Sequence, residues 1–279
     1  MSNTALATTK DKVSTVRDLL EKSKAQIALA LPRQMTPDRM VRVAMTSIQR
    51  TPKLLDCDPR SLVAAIIQAS QLGLEPDGAL GHAYLVPYGN TVTFIPGYRG
   101  LIDLARRSGQ VSTIEACAVY PGDTFIYERG LEPRLIHRPQ LTDEDPPQGT
   151  LQYVYAVCKL RDGGVQYDVM SKGRVEAIRK RSKAGNNGPW VTDYEEMAKK
   201  TVLRRLCKLL PLSVEIQKAV AHDEAIEIGM ASPLDAVEVK LAGDDDEKPV
   251  TRMDEFVAKE KAKKPPIIES DERAPGEEG

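Results

Sequence analysis

The chain has 279 residues, 41% of them hydrophobic, which is enough apolar material for one large domain or two smaller ones. No apolar run approaches the roughly 20 residues that span a bilayer, and the four cysteines, Cys57, Cys117, Cys158 and Cys207, form no C-x-x-C pair, which excludes a local zinc motif and a disulfide framework. The formal net charge of −1 averages two unlike regions: residues 232–279 carry fourteen acidic and eight basic side chains, a balance of −6, which leaves +5 for residues 1–231.

The opening Met-Ser-Asn-Thr-Ala-Leu-Ala has no basic flank before an apolar stretch, unlike a secretory signal, so an intracellular, cytoplasmic protein is expected. Residues 1–30 read as a helical arm, with an amphipathic helix over 11–30 that recurs through Val13, Val16, Leu19 and Leu20. A second helix opens at Thr36-Pro37, and a third at Asp58-Pro59 runs to a glycine stop at Gly73; both pair an oxygen-bearing cap with proline in the first turn.

The texture then changes. Residues 83–88 and 91–95 are β-rich and separated by Gly89-Asn90, a tight hairpin connection. A helix over 97–108 follows, then strands at 111–120, 151–160 and 165–170. Two longer helices are predicted at 172–183 and 193–210, the second opening with a capping box from Thr192 to Glu195, and a shorter one at 213–227. The fold class is α+β: a small antiparallel sheet with a β-hairpin packed against several helices, a helical N-terminal part, and a flexible acidic C-terminal tail. Residues 31–231 form the core and 232–279 the tail, which lacks the apolar periodicity to offset its ordering entropy.

Between Met170 and Leu210 the chain carries eleven basic residues against four acidic ones, divided by the loop Ala184-Gly-Asn-Asn-Gly-Pro-Trp190. Such an excess points to a polyanion, with nucleic acid first. On an ideal wheel Val202, Leu203, Leu206, Leu209 and Leu210 share one face, while Lys200, Arg204 and Lys208 share the other, with Arg205 at its edge and Lys199 among the leucines. The helix from Gly97 repeats the arrangement, with Arg99, Arg106 and Arg107 opposite Leu101, Ile102 and Leu104. Two basic faces predict the walls of a groove. Only 5% of the chain is aromatic, so a surface that holds phosphates and leaves bases free is expected.

No catalytic constellation emerges. There is no G-x-x-x-x-G-K-[ST] loop; Gly97-Tyr-Arg-Gly100 and Gly185-Asn-Asn-Gly188 lack its lysine and hydroxyl. His82, His137 and His222 are too far apart for a local metal motif, and Asp143-Glu-Asp145 reads as an exposed loop. A DNA-binding protein that is not an enzyme, without cofactor or metal, is expected. The rival readings are a passive single-strand coat and a metal-dependent nuclease using scattered carboxylates.

Four blocks carry a resemblance: Leu31-Pro-Arg-Gln-Met-Thr-Pro-Asp-Arg-Met40; Ser70-Gln-Leu-Gly-Leu-Glu-Pro-Asp-Gly-Ala-Leu-Gly-His-Ala-Tyr-Leu85; Gly97-Tyr-Arg-Gly-Leu-Ile-Asp-Leu-Ala-Arg-Arg-Ser-Gly109; and Ser182-Lys-Ala-Gly-Asn-Asn-Gly-Pro-Trp-Val191 with Glu195-Glu-Met-Ala-Lys-Lys200. Together they resemble the RecT family of phage and prophage single-strand annealing proteins. The resemblance implies an ATP-independent recombinase that binds single-stranded DNA, assembles into rings or helical filaments and pairs complementary strands. It further implies a central fold akin to Rad52-like annealing proteins and a partner exonuclease contacted by the C-terminal region; a host single-strand binding protein stands beside these as a second candidate partner of the tail. Carried over by position, the groove draws on Tyr98, Arg99, Arg106, Arg107, Lys183, Asn186, Asn187, Lys199, Lys200, Arg204 and Arg205; Trp190 and Lys208 complete the set. For the tail, a solubilising extension stands beside a segment that competes with DNA or docks a partner.

Overall fold

The cap signals at Thr36 and Asp58 do what their chemistry allows. Thr36 Oγ1 accepts from Arg39 N at 3.4 Å to open α3 (Pro37–Arg50), and the Asp58 carboxylate accepts from Arg60 N at 3.1 Å to open α4 (Pro59–Leu72). α4 stops at Gly73, whose φ of +59° is the left-handed cap that glycine adopts most cheaply. In this computed structural model, residues 2–141, 146–147, 149–186, 188–211, 213–232 and 234–235 are described; Asp143-Glu-Asp145, Asn187 and the acidic run at 244–247 lie outside them.

The single N-terminal helix expected over 11–30 is two, α1 (Ser2–Lys22) and α2 (Lys24–Ala30). Buried Ser23 marks a kink rather than a gap, because Ser23 N–H still donates to Leu19 O and Ile27 N–H to Ser23 O. Leu20 and Ile27 reach the core on either side of it, and α2 packs on α3 and α4.

The expected hairpin forms from β1 (Ala83–Tyr88) and β2 (Thr91–Pro96) in antiparallel register, with Val86 opposite Thr93 and Tyr84 opposite Ile95. Side chains alternate across a strand, so Ala83, Leu85, Val92 and Phe94 bury one face, against α4 among others, and Tyr84, Val86 and Tyr88 share the other. The strands do not join one sheet, as expected from sequence, but three. α5 (Tyr98–Arg107) separates the hairpin from a sheet in the order β3 (Val111–Val119), β6 (Tyr153–Leu160), β7 (Val165–Ser171). A second hairpin, β4 (Thr124–Glu128) with β5 (Arg134–Arg138), is absent from the sequence reading. β4 alternates between half-buried and exposed residues, β5 is half-buried between exposed ends, and Phe125 fastens the hairpin by stacking on Tyr153 and Tyr155 at centroid distances of 5.5 and 5.8 Å.

After α6 (Lys172–Arg181), a four-residue helix α7 (Pro189–Thr192) precedes α8 (Tyr194–Cys207). The expected capping box does not form. Thr192 falls inside α7, Asp193 takes the cap position without a side-chain cap bond, and Glu195 is held by Lys199 and the Tyr120 hydroxyl. α8 lies across β3, β6 and β7 and buries Val202, Leu203 and Leu206 as the wheel predicts; Leu209 falls past the helix end and is 64% exposed. α9 (Val214–Ile228) packs on α5, α8, α4 and β2 and stops at Gly229.

The boundary placed after Ala231 cuts through packed structure. Ser232, Leu234 and Asp235 are buried, Gln68 Nε2 on α4 donates to Leu234 O and Asp235 Oδ1, and Asp235 Oδ2 accepts from Ser232 N. One continuous core runs from Leu20 and Ile27 through Phe94 to Leu206, Ile216 and Leu234.

Candidate nucleic-acid interface

The free face of the first hairpin, the start of α5, the loop over 182–190, α8 and α9 enclose a cleft of about 650 Å³. That volume lies within the range of about 300–1,000 Å³ typical of ligand sites. Strand alternation places Tyr84, Val86 and Tyr88 on one wall, with Thr93 and Ile95 beside them across the hairpin. Burial raises the phenols of Tyr84 and Tyr88 above the ordinary tyrosine value, so both stay neutral.

The glycines of Gly97-Tyr-Arg-Gly100 build this wall. A Cβ at Gly97 would lie 2.0 Å from Gly81 O, and one at Gly100 would lie 2.1 Å from His82 O. Only glycine lets α5 start this close to the preceding loop, and the approach is fixed by Gly97 N–H donating to His82 O at 2.8 Å. Tyr98 and Arg99 are thereby set at the cleft, where the Tyr98 hydroxyl beside the exposed Arg99 guanidinium raises the arginine further above its ordinary value. Gly185 performs the same service opposite, since a Cβ there would meet Arg179 O at 2.1 Å. The turn it permits brings Lys183 to the rim, with its ammonium 5.5 Å from the Tyr88 ring centroid, a cation–π contact.

The basic face of α8 does not look outward. Lys200 Nζ pairs with Asp223 Oδ1 at 2.6 Å, Arg204 Nη1 with Asp223 Oδ2 at 2.9 Å, Arg204 Nη2 with Glu227, and Lys208 with Glu224 at 2.5 Å. Burial would raise the Asp223 carboxyl, but the cations of Lys200 and Arg204 outweigh it and hold the group below the ordinary aspartate value. Lys200 and Arg204 form part of the cleft floor as neutralised pairs, and Lys208 stands outside it. The wheel treated α8 alone; the acids that complete it arrive on α9.

The other candidates divide in the same way. Lys199 is paired with Glu195 at 2.5 Å and Glu196 at 3.3 Å, and Arg205 with Asp168 at 3.3 Å. Arg107 is paired with Asp103 at 2.7 Å and donates to the carbonyls of Leu72 and Gly73, capping α4. Arg106 is exposed and, with exposed Arg174, Lys180 and Arg181, has no ion-pair partner among the described residues. Asn186 is exposed on the loop, and Trp190 is a cleft-lining core residue, 1% exposed. Tyr98, Arg99, Lys183, Trp190, Lys200 and Arg204 thus meet at one cleft. Sequence reasoning missed Tyr84, Thr93, Asp223 and Glu227, whose signal is the alternation along the hairpin and the acidic spacing along α9. It also expected a track poor in rings, yet Tyr84, Tyr88, Tyr98 and Trp190 share this one cleft.

Residues 38–235 match the sequence model of the RecT family. The chain is 56% identical over 209 residues to protein RecT of Escherichia coli strain K12, covering 72% of this chain and 76% of that one. It belongs to the RecT family. The RecT family comprises single-strand annealing proteins of DNA recombination, and this chain is one of them. A second relative, the uncharacterised protein YqaK of Bacillus subtilis strain 168, is 32% identical over 168 residues, 60% of this chain and 57% of that one. The RecT match contains the whole cleft. Among the described residues no group of three or more His, Cys, Asp or Glu side chains is arranged to hold a metal ion, and no helix is long and apolar enough to cross a membrane.

Proposed function

We propose that the cleft and its rim are where this RecT-family protein holds single-stranded DNA, and that it anneals complementary strands in the cytoplasm without ATP or any catalytic step. The observation that carries this reading is that Arg99 and Lys183 both line one ring-lined cleft, with neither in an ion pair among the described residues. Arg106 and the exposed cations of α6 extend the positive surface beyond it. Neutralising phosphates at these positions lowers the repulsion felt by a second strand, and base pairing supplies the specificity. One protomer offers a short track, so rings or helical filaments of many copies belong to the mechanism. The acidic C-terminal segment is the proposed meeting point for a partner exonuclease or a host single-strand binding protein.

The test mixes complementary oligonucleotides without ATP. Wild-type protein should accelerate pairing, and a folded Arg99→Ala/Lys183→Ala double variant should pair strands little faster than buffer. Undiminished annealing by that variant would move the DNA site elsewhere, and slower annealing with wild-type protein than without it would make the protein a passive coat.

A further inference from the structure

The exposed cations at the cleft rim have no acidic partner among the described residues, and the chain that leaves the cleft carries an acidic run. Arg99 and Lys183 line the opening, and exposed Arg106 lies seven residues beyond Arg99, about 10 Å along nearly the same face of α5. Lys200 and Arg204 in the floor are already matched by Asp223 and Glu227, so a polyanion gains at the rim and nothing deeper. Lys183 also stands where the C-terminal part of the chain passes. Its N–H donates to Glu227 O at 2.9 Å, and a Cβ at Gly229 would lie 3.9 Å from its Cδ.

Asp244, Asp245, Asp246 and Glu247, four consecutive carboxylates, begin fifteen residues after Gly229. Chain length decides the reach. Met230 lines the cleft and buried Asp235 is five residues on, so at most about 17 Å separates the two. The nine residues from Asp235 to Asp244 can span about 30 Å, enough to bring the run back to the rim. We propose that residues 244–247 dock on Arg99, Lys183 and Arg106 of their own chain and compete there with the phosphates of single-stranded DNA. The proposal rests on the DNA-binding reading above and adds an internal competitor to it. Carboxylates and phosphates accept the same bonds from guanidinium and ammonium groups, so one occupant displaces the other. A tether of this length sets an effective concentration of about 1 mM. Against a Kd of about 0.1 mM, the weak end for a sequence-independent polyanion contact, the run lowers DNA affinity about tenfold.

The full chain is compared with the variant Asp244→Asn/Asp245→Asn/Asp246→Asn/Glu247→Gln and with a chain ending at Asp235, which keeps Leu234 and Asp235 packed. End-label anisotropy with a thymidine oligonucleotide should show both altered chains binding about tenfold tighter at low salt, and the gap should close at high salt as exposed charges are screened. A water-soluble carbodiimide joins a carboxylate to an ammonium as an amide and leaves as its urea. In the full chain it should link Lys183 to residues 244–247, and the oligonucleotide should suppress that link. Equal affinity of the three chains would overturn the competition while the DNA site stands, as would a Lys183 link that the strand does not suppress. Tighter binding by the altered chains with no link at Lys183 would reduce the run to general charge repulsion and overturn the docking. In an equal mixture of isotopically light and heavy protein, links found only between copies would assign the site to a neighbouring protomer's run and overturn the same-chain contact. Failure of all three chains to bind the strand would refute the DNA reading itself.

Discussion

Lys200 Nζ lies 2.6 Å from Asp223 Oδ1, an ion pair that joins α8 to α9 beneath the cleft and turns a basic helix face inward. Because Asp223 is buried and also holds Arg204, the pair is part of the fold's integrity before it is part of any binding surface.

Asp223→Asn is expected to cost about 3 kcal/mol at neutral pH, the scale for breaking a buried ion pair from one side. The folded-state pKa of Asp223 is lowered, so its contribution is present above the unfolded value of about 3.9 and is lost as pH falls through that value and the lower folded one. Urea denaturation across this range should show the two proteins far apart at neutral pH and converging in acid. A constant gap would show that Asp223 does not act through its charge.

Arg204→Ala and Arg99→Ala should fail in opposite ways. Removing Arg204 strips Asp223 and Glu227 of a partner and is expected to cost about 3 kcal/mol of stability, leaving the salt dependence of DNA binding as it was. Removing exposed Arg99, or exposed Arg106, should change stability by no more than about 0.5 kcal/mol. Each should flatten the slope of log affinity against log salt by about 0.7, the value for one lost phosphate on a single strand. Binding titrations at several salt concentrations, beside thermal melts, separate the two.

Gly97→Ala should destabilise the protein by about 1–3 kcal/mol through overpacking, since its Cβ would press on the Gly81 carbonyl. The same substitution at Gly173, where a Cβ meets nothing within 4 Å, serves as the control in the same melts.

Much of this was legible in the sequence where a local rule decides the outcome. Thr36-Pro37 and Asp58-Pro59 start helices because the cap and the ring act within one turn, and Gly89-Asn90 sets the hairpin because the turn alone fixes its register. What failed were particular inferences that turned on a distant partner. Strands β4 and β5 are half exposed, and Phe125 finds its rings on β6. The polar side of α8 reads as solvated until Asp223, Glu224 and Glu227 are placed against it. A chain-wide aromatic content of 5% gives no sign that four rings would share one cleft.

Ending the chain after residue 231 should lower its stability by about 2–4 kcal/mol, because Leu234 is 3% exposed and held through Gln68. Ending it after residue 235 keeps this packing in place. Only the second truncation tests what the acidic extension does for DNA or partners.

His222 Nε2 donates to the Phe94 carbonyl at 2.9 Å across 128 residues of chain, which leaves Nδ1 to accept from Ser232. The two walls of the cleft are therefore made at different times. As the polypeptide leaves the ribosome, the hairpin and Arg99 emerge first and must wait for α8 and α9. A strand of DNA meeting the unfinished chain finds one wall and no floor. On the proposed reading of the cleft, grip on DNA belongs to the molecule whose α8 and α9 have closed on the hairpin.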